Sequence, residues 1–181
     1  LAMQRRLAPL FDGAGLLRGD PLTALPALER TLGHAPTPQK RHVRFSAHVS
    51  TWYTELDRRA ANVRARQVFE ADIASGKRSL DVAKLPLYPY QQEGMLHLAF
   101  TGRALLADEM GLGKTAQAIA ACELLRQLHG IQRVLVISPA SLKTEWEEQI
   151  GKFTDQSLRI IIGSRPARLQ QYTAPSFFYL T

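Results

Sequence analysis

The stretch of this sequence best suited to chemistry is a glycine-rich run followed by a lysine and a threonine. Residues 108–115 are Asp-Glu-Met-Gly-Leu-Gly-Lys-Thr. A phosphate chain is bound by closely spaced backbone N–H groups, and only residues without a bulky Cβ allow the tight curvature that this requires. Gly111 and Gly113, with Leu112 between them, would supply that loop. The pattern therefore predicts a phosphate-binding turn.

The two residues after the glycines have distinct expected roles. Lys114 would reach the β- and γ-phosphates of a nucleotide, and the Thr115 hydroxyl would bind the Mg²⁺ that bridges them, so both are catalytic candidates. The common pattern has a glycine where this chain has Asp108, so the strict motif is not met. The alternative is a chance glycine turn, and the intact Gly-Leu-Gly-Lys-Thr argues against it.

Alternating helices and strands are predicted around this loop from about residue 85 onward. Helices are expected at 89–100, 115–129, 141–152 and 166–171, and strands at 104–107, 133–138, 158–162 and 177–180. Gly130 is expected to end the second of these helices in a left-handed cap. The strands are apolar and rich in β-branched residues, which is typical of a parallel sheet with helices on both faces. The predicted class of residues 85–181 is therefore α/β.

Residues 1–84 are predicted to form a separate, mainly helical region. Prolines are expected to break residues 1–40 into short helices and loops; they are Pro9, Pro21, Pro26, Pro36 and Pro38. Residues 51–75 lack Pro and Gly and place apolar residues at helical spacing with four arginines between them, which predicts a basic amphipathic helix. This helix would contact DNA, dock on the second region as a brake, or extend the fold. Its apolar positions favour the last two interpretations.

The charge of the chain is concentrated in this first region. Residues 1–84 contain 14 Lys and Arg against 8 Asp and Glu, which accounts for most of the formal net charge of +7. Such an excess favours a polyanionic partner, and nucleic acid is the first candidate. The alternative is a solvated basic surface with no partner.

Composition excludes several classes of protein. With 45% hydrophobic and 22% charged residues, the chain is predicted to be a soluble, folded protein. No apolar run approaches the roughly 20 residues of a membrane helix, and no export signal is recognised, so no membrane partner is expected. A single cysteine, Cys122, fits a reducing compartment: the cytoplasm, including a bacterial nucleoid, or the nucleus of a eukaryote. The five histidines show no metal-ligand spacing, so Mg²⁺ bound with a nucleotide is the only metal expected.

Two segments beside the loop point to one family. Residues 87–94, Leu-Tyr-Pro-Tyr-Gln-Gln-Glu-Gly, together with residues 108–115, resemble the opening of the Swi/Snf-related ATPases of helicase superfamily 2. The resemblance continues through Val-Leu-Val-Ile-Ser-Pro-Ala-Ser-Leu at residues 134–142. It implies that residues 85–181 are the first part of a RecA-like ATP-binding lobe, which ends before the family's downstream acidic box and second lobe.

The resemblance also implies roles for individual residues. Gln91 is implied to contact adenine, because an amide offers both a donor and an acceptor; the alternative is a plain surface residue. Ser141 and Lys143 are implied to contact the DNA backbone. The alternative for Ser141 is that it only caps the helix that follows.

At the level of function, the resemblance implies that the parent protein is an ATP-dependent translocase on double-stranded DNA, a helicase-like remodelling enzyme. ATP and Mg²⁺ are the implied cofactors, and no protein partner is indicated. This chain alone is expected to hydrolyse ATP poorly without the acidic box and an arginine finger. The alternative is a nucleotide- or DNA-binding module without turnover. A small-molecule kinase is a third possibility, and Gln91 and residues 139–142 argue against it.

Overall fold

A computed structural model describes residues 2–34 and 46–181, and these fall into two compact units, Leu1–Ala61 and Asn62–Thr181. The helices are α1 (Ala2–Leu7), α2 (Pro21–Gly33), α3 (Ala47–Ala74), α4 (Pro89–Thr101), α5 (Lys114–His129), α6 (Lys143–Phe153) and α7 (Arg165–Thr173). The strands are β1 (Val134–Val136), β2 (Leu158–Ile160) and β3 (Phe178–Leu180), and short 3₁₀ turns lie at Ala8–Leu10 and Ala140–Leu142. The division between the units falls inside α3. The boundary that we place after residue 84 stays a prediction.

The first unit is helical, as predicted, but one proline has an unexpected position. Pro26 lies inside α2 and does not break it, so our expectation for this residue is wrong. A proline has no N–H, so the carbonyl four residues earlier loses its helical partner. That carbonyl belongs to Leu22, and the Tyr53 hydroxyl donates to it at 3.4 Å. The substitute donor explains how the helix tolerates the proline. Pro36 and Pro38 lie outside the described residues.

Helix α3 confirms the helix predicted at residues 51–75, and carboxylates neutralise much of its basic character. Arg58 and Arg59 both donate to Glu55, at 2.7 and 3.1 Å, and their hydrogen bonds lower the pKa of that carboxyl to about 2. Further along the helix, Arg66 pairs with Glu70 at 2.8 Å. These arginines therefore have protein partners, which weakens the interpretation of α3 as a DNA-binding surface.

The second unit confirms the α/β class. Its three strands are all parallel, in the order β1–β3–β2, with Phe178 of the central strand in register with both Val134 and Leu158. One sheet face packs into a cluster in which Ile119 of α5 and Ile150 of α6 are fully buried. Trp146 and Cys122 are partly buried and pack against this cluster.

A second cluster joins the end of α3 to α4 and α5. Phe69 packs against Phe100 with ring centroids 5.5 Å apart, and Met95 lies at the centre with no exposed surface. The connector after α3 is tied down as well, because the Lys84 N–H donates to the Phe153 carbonyl at 2.9 Å. The last part of α3 thus contributes to the core that supports the glycine loop.

The strand predicted at residues 104–107 is absent. The segment belongs to neither a helix nor a strand, Leu105 is 82% exposed, and the segment joins no ladder. A strand needs a neighbour for its backbone N–H and C=O groups. Across residues 2–34 and 46–181 the sheet consists of β1, β3 and β2, and none of them lies beside this segment. The local pattern was therefore insufficient to make a strand.

Candidate nucleotide-binding site

The glycine loop, residues 108–113, leads directly into the first turn of α5. Gly111 and Gly113 have φ of +86° and +73°, which is the left-handed region that disfavours side chains. The first amides of a helix have no partner within the helix and carry its partial positive charge. The loop thus delivers the chain to a helix N-terminus suited to an anion, as the sequence predicts.

Lys114 is the first residue of α5, and its ammonium turns back into the loop. It donates to the carbonyl oxygens of Asp108 and Glu109, both at 2.8 Å. The side chain therefore lies where the loop curves, although its partners are backbone carbonyls. Thr115 follows in the same first turn and is partly buried. Both catalytic candidates are at the loop, and their roles toward phosphate and Mg²⁺ stay predictions.

Gln91 lies on α4 and contacts the loop from the other side. Its Nε2 donates to the carbonyl of Leu112 at 3.2 Å, and its Oε1 accepts from the N–H of Tyr88 at 3.1 Å. The side chain is only 8% exposed, so it is not a plain surface residue. A Cβ on Gly113 would lie 2.5 Å from Gln91 Nε2, so a side chain there would displace the Gln91 amide as well as adopt a positive φ. Contact of Gln91 with adenine stays a prediction.

Two tyrosines shortly before Gln91 in sequence present their rings at the surface. Tyr88 and Tyr90 stack with centroids 5.9 Å apart and an angle of 6° between the rings, and both are exposed. We did not single them out as site residues. The signal was available, since two aromatic residues that alternate with proline directly before a buried amide are unusual on a surface.

A second glutamine, missed by sequence reasoning, also contacts the loop. Gln117 on α5 is fully buried, and its Nε2 donates to Asp108 Oδ2 at 2.9 Å and to the Leu112 carbonyl at 3.3 Å. Asp108, which replaces the usual glycine, is thus held by a side chain of the helix that the loop precedes. The available signal was a polar residue on the apolar face of a helix.

The residues predicted to contact DNA follow the carboxyl end of β1 in the chain, and one of them reaches the segment after β2. Ser141 is exposed in the 3₁₀ turn, and Lys143 begins α6 and donates from Nζ to the Ile161 carbonyl at 3.1 Å. Leu142 is the N-cap residue of α6, so the alternative role of Ser141 as helix cap is wrong. The 3₁₀ turn moves the start of the helix past Ser141. Contact with DNA stays a prediction for both residues.

Other kinds of site find little support in the described part of the chain. Between residues 2–34 and 46–181 no group of three or more His, Cys, Asp and Glu residues is arranged to hold a metal ion. None of the helices that the structure describes is long and apolar enough to span a membrane. Burial, and next the charge of Glu123, raise the pKa of the Cys122 thiol to about 11, which makes it a poor nucleophile.

Comparison with known families shows which family these features belong to. A family model described as the SNF2-related domain matches residues 52–175. The chain belongs to the SNF2-related family. The match confirms the resemblance to Swi/Snf-related ATPases, and it begins inside α3, well before the glycine loop.

Individual proteins are also similar to parts of this chain. A Caenorhabditis elegans SWI/SNF-related matrix-associated actin-dependent regulator of chromatin subfamily A-like protein 1 homolog is 43% identical over 77 residues, 42% of this chain and 11% of that protein. Homo sapiens chromodomain-helicase-DNA-binding protein 6 is 40% identical over 94 residues, covering 48% and 3%. The Arabidopsis thaliana CHD3-type chromatin-remodeling factor PICKLE is 31% identical over 145 residues, covering 74% and 10%. The chain thus spans 11% or less of these relatives.

A solved structure of the SNF2-related family is also similar. It is a Sulfolobus solfataricus SWI2/SNF2 ATPase core in complex with double-stranded DNA, with 31% sequence identity and a TM-score of 0.47. The similarity covers 55% of this chain and 22% of that chain.

Proposed function

We propose that this chain binds ATP and Mg²⁺ at the glycine loop and forms the ATP-binding front part of a DNA-dependent ATP hydrolase that moves along double-stranded DNA. Membership of the SNF2-related family supports this activity for the parent protein. The observation that carries the proposal for this chain is the meeting of Gln91, Lys114 and the start of α5 at one loop. Gln91 is distant in sequence from Lys114 and the start of α5, and these groups suit different parts of one nucleotide.

The phosphate end of ATP suits the loop and the helix that follows. The amides of the first turn of α5 would donate to phosphate oxygens, and Lys114 would exchange its two carbonyl partners for the β- and γ-phosphates. Thr115 would supply a hydroxyl ligand to Mg²⁺. When bound, Mg²⁺ neutralises charge on the phosphates.

The base end of ATP suits the side of the loop formed by α4. The Gln91 amide would read the adenine edge after giving up a bond to Tyr88 N–H or to Leu112 O. The exposed rings of Tyr88 and Tyr90 offer a flat apolar surface for a planar base beside it. Adenine is therefore the base that we assign to this site.

Double-stranded DNA is the proposed partner of the carboxyl edge of the sheet. Lys143 begins α6 and its Nζ bonds the Ile161 carbonyl just after β2, and Ser141 is exposed two residues earlier in the chain. In open parallel sheets, ligands bind outside the carboxyl ends of the strands. A hydroxyl and an ammonium there suit phosphate oxygens of the DNA backbone.

Nucleotide binding is tested first on this chain with a fluorescent ATP analogue and Mg²⁺. Lys114→Ala is expected to weaken binding by about 10- to 100-fold, since it removes charge-assisted bonds. Lys152→Ala is the matched control, because Lys152 is exposed on α6. Its Nζ lies 5.8 Å from the centre of the Phe153 ring. Equal affinity of the two variants would contradict the proposed role of the loop.

Turnover is tested on the longest available form of the protein, with and without duplex DNA. Hydrolysis that duplex stimulates and that Lys114→Ala abolishes supports the translocase. Binding of ATP without hydrolysis, whatever DNA is added, would instead make the protein a nucleotide-binding module. Lys143→Ala should lower duplex affinity and reduce the salt dependence of binding by about one phosphate contact.

The named relatives also bear on where the protein works. Their names describe a regulator of chromatin in a nematode, a chromodomain-helicase-DNA-binding protein in a mammal and a chromatin-remodeling factor in a plant. We therefore propose that the protein acts in the nucleus if its source is a eukaryote. Microscopy of the tagged full-length protein tests this, and exclusion from the nucleus would contradict it.

A further inference from the structure

A pair of buried amides holds the glycine loop from two helices. Gln91 of α4 and Gln117 of α5 both donate from Nε2 to the carbonyl of Leu112, at 3.2 and 3.3 Å. Gln117 also donates to Asp108 Oδ2 at 2.9 Å. One side chain therefore bonds both the beginning of the loop, at Asp108, and its far side, at Leu112.

The orientation of the Gln117 amide follows from its neighbours. Asp108 Oδ2 and the Leu112 carbonyl are both acceptors, so the NH₂ group must face them. The amide oxygen then points toward Gly94 on α4. It is buried and has no hydrogen-bond partner in the described part of the chain. A Cβ on Gly94 would overlap this oxygen, so the absence of a side chain at residue 94 makes room for the amide.

Stability alone does not account for an amide at this position. A buried carbonyl without a partner is unfavourable, and an apolar side chain of similar size would fill the same space without that cost. An apolar residue has no N–H groups that could donate to the Asp108 carboxylate and to the Leu112 carbonyl. The hydrogen bonds that the amide donates to the loop therefore account for its presence.

We propose that Gln117 is a positioning residue that, together with Asp108, keeps the glycine loop open to phosphate while Lys114 changes partners. The proposal rests on the proposed nucleotide site and adds to it. The Asp108 carbonyl is one of the two acceptors of Lys114, so movement of the lysine would release that residue. The hydrogen bond from Gln117 to the Asp108 side chain would still hold Asp108 in place. Asp108 thus compensates for the missing glycine by fastening the loop to α5.

The test compares Gln117→Met with Gln127→Met in this chain. Met has a similar length and no donor, and Gln127 is an exposed residue of the same helix. Hydrogen exchange of amides 109–115 without nucleotide reports on the loop, and binding of a fluorescent ATP analogue with Mg²⁺ reports on the site. We expect Gln117→Met to speed exchange and weaken binding, each by about tenfold, with the unfolding temperature unchanged or raised.

Asp108 supplies an independent pair of variants if Gln117→Met fails to fold. Asp108→Asn keeps an acceptor for Gln117 and is expected to bind the analogue within about threefold of the unaltered chain, whereas Asp108→Ala is expected to lose about tenfold. Gln117→Met combined with Asp108→Ala should lose no more than Gln117→Met alone, because Gln117→Met already removes the bond to Asp108.

The outcomes separate the two proposals. If the unaltered chain binds no nucleotide, the proposed function fails, and the exchange data still decide whether Gln117 holds the loop. If Gln117→Met matches Gln127→Met in exchange and in binding, or if Asp108→Ala matches Asp108→Asn, the positioning role is overturned.

Discussion

Arg66 donates two hydrogen bonds, of 2.8 and 2.7 Å, to the carboxylate of Glu93. The bonds join the last part of α3 to α4 at a point two residues from Gln91. Glu93, and next Glu70, raise the pKa of the Arg66 guanidinium, which therefore keeps its positive charge. A helix that lies far before the glycine loop in sequence is thus fastened to the element that carries the proposed adenine contact.

This attachment leads to a prediction about where the second unit begins. A piece that starts at Asn62 and ends at Thr181 keeps Arg66, Phe69 and Val82, whereas one that starts at Leu85 removes them from the core. We expect the first piece to unfold cooperatively in urea and the second to have little or no cooperative transition, measured by circular dichroism. Equal midpoints would instead support the boundary after residue 84.

Phe69 is expected to account for most of the difference in stability between these two pieces. It is buried against Phe100, so Phe69→Ala should lower the free energy of unfolding by about 3 to 5 kcal/mol. Val68 is the neighbour of Phe69 on α3 and is 62% exposed, so Val68→Ala should change the free energy of unfolding by less than about 0.5 kcal/mol. Urea unfolding of both variants measures the contrast. A small effect at Phe69 would mean that α3 does not complete this core.

Two glycines should respond oppositely to alanine. Gly113→Ala places a Cβ at positive φ and against Gln91 Nε2, and is expected to weaken binding of an ATP analogue more than about tenfold. Gly151 lies within α6 with open space around its Cα, so Gly151→Ala should raise stability by about 0.5 to 1 kcal/mol and leave binding unchanged. Unaltered binding in Gly113→Ala would show that Gln91 moves aside freely.

Cys122 should be protected from alkylation by the fold. Its pKa is raised from 9.0 to about 11, so at pH 8 the folded chain has about 100-fold less thiolate than the unfolded chain. Because the folded pKa is the higher one, the associated stability is fully present below pH 9 and is lost as the pH rises through 11. Iodoacetamide labelling with and without urea, followed by mass spectrometry, checks this. Equal rates would place Cys122 at the surface.

Local signals predicted much of the fold. Periodicity and end signals placed α4 and α5 to within one residue at each end, and Gly130 ends α5 at φ +63° as expected. Features that depend on distant partners were not predictable in this way. Residues 104–107 have the composition of a strand but pair with no neighbouring strand. Pro26 is tolerated inside α2 because the Tyr53 hydroxyl, distant in sequence, donates a hydrogen bond there.

The same distinction applies to the candidate site. Gln91 and Lys114 were identified from motifs, and the structure brings both to one loop. The role of Asp108 was not predictable, because a carboxylate where a glycine is usual only indicates a departure from the pattern. Its meaning depends on Gln117 and on the space left by Gly94, which are contacts between helices.

The ammonium of Lys114 has a consequence for how tightly any anion can bind this loop. In the described structure it is already solvated by two backbone carbonyls, each at 2.8 Å. A ligand must therefore replace existing bonds and gains only the difference between its own oxygens and those carbonyls. We expect a triphosphate, with its several negative oxygen atoms, to replace these carbonyls more readily than a nucleoside without phosphates. The bonds of Lys114 would in this way favour ligands with a high density of negative charge.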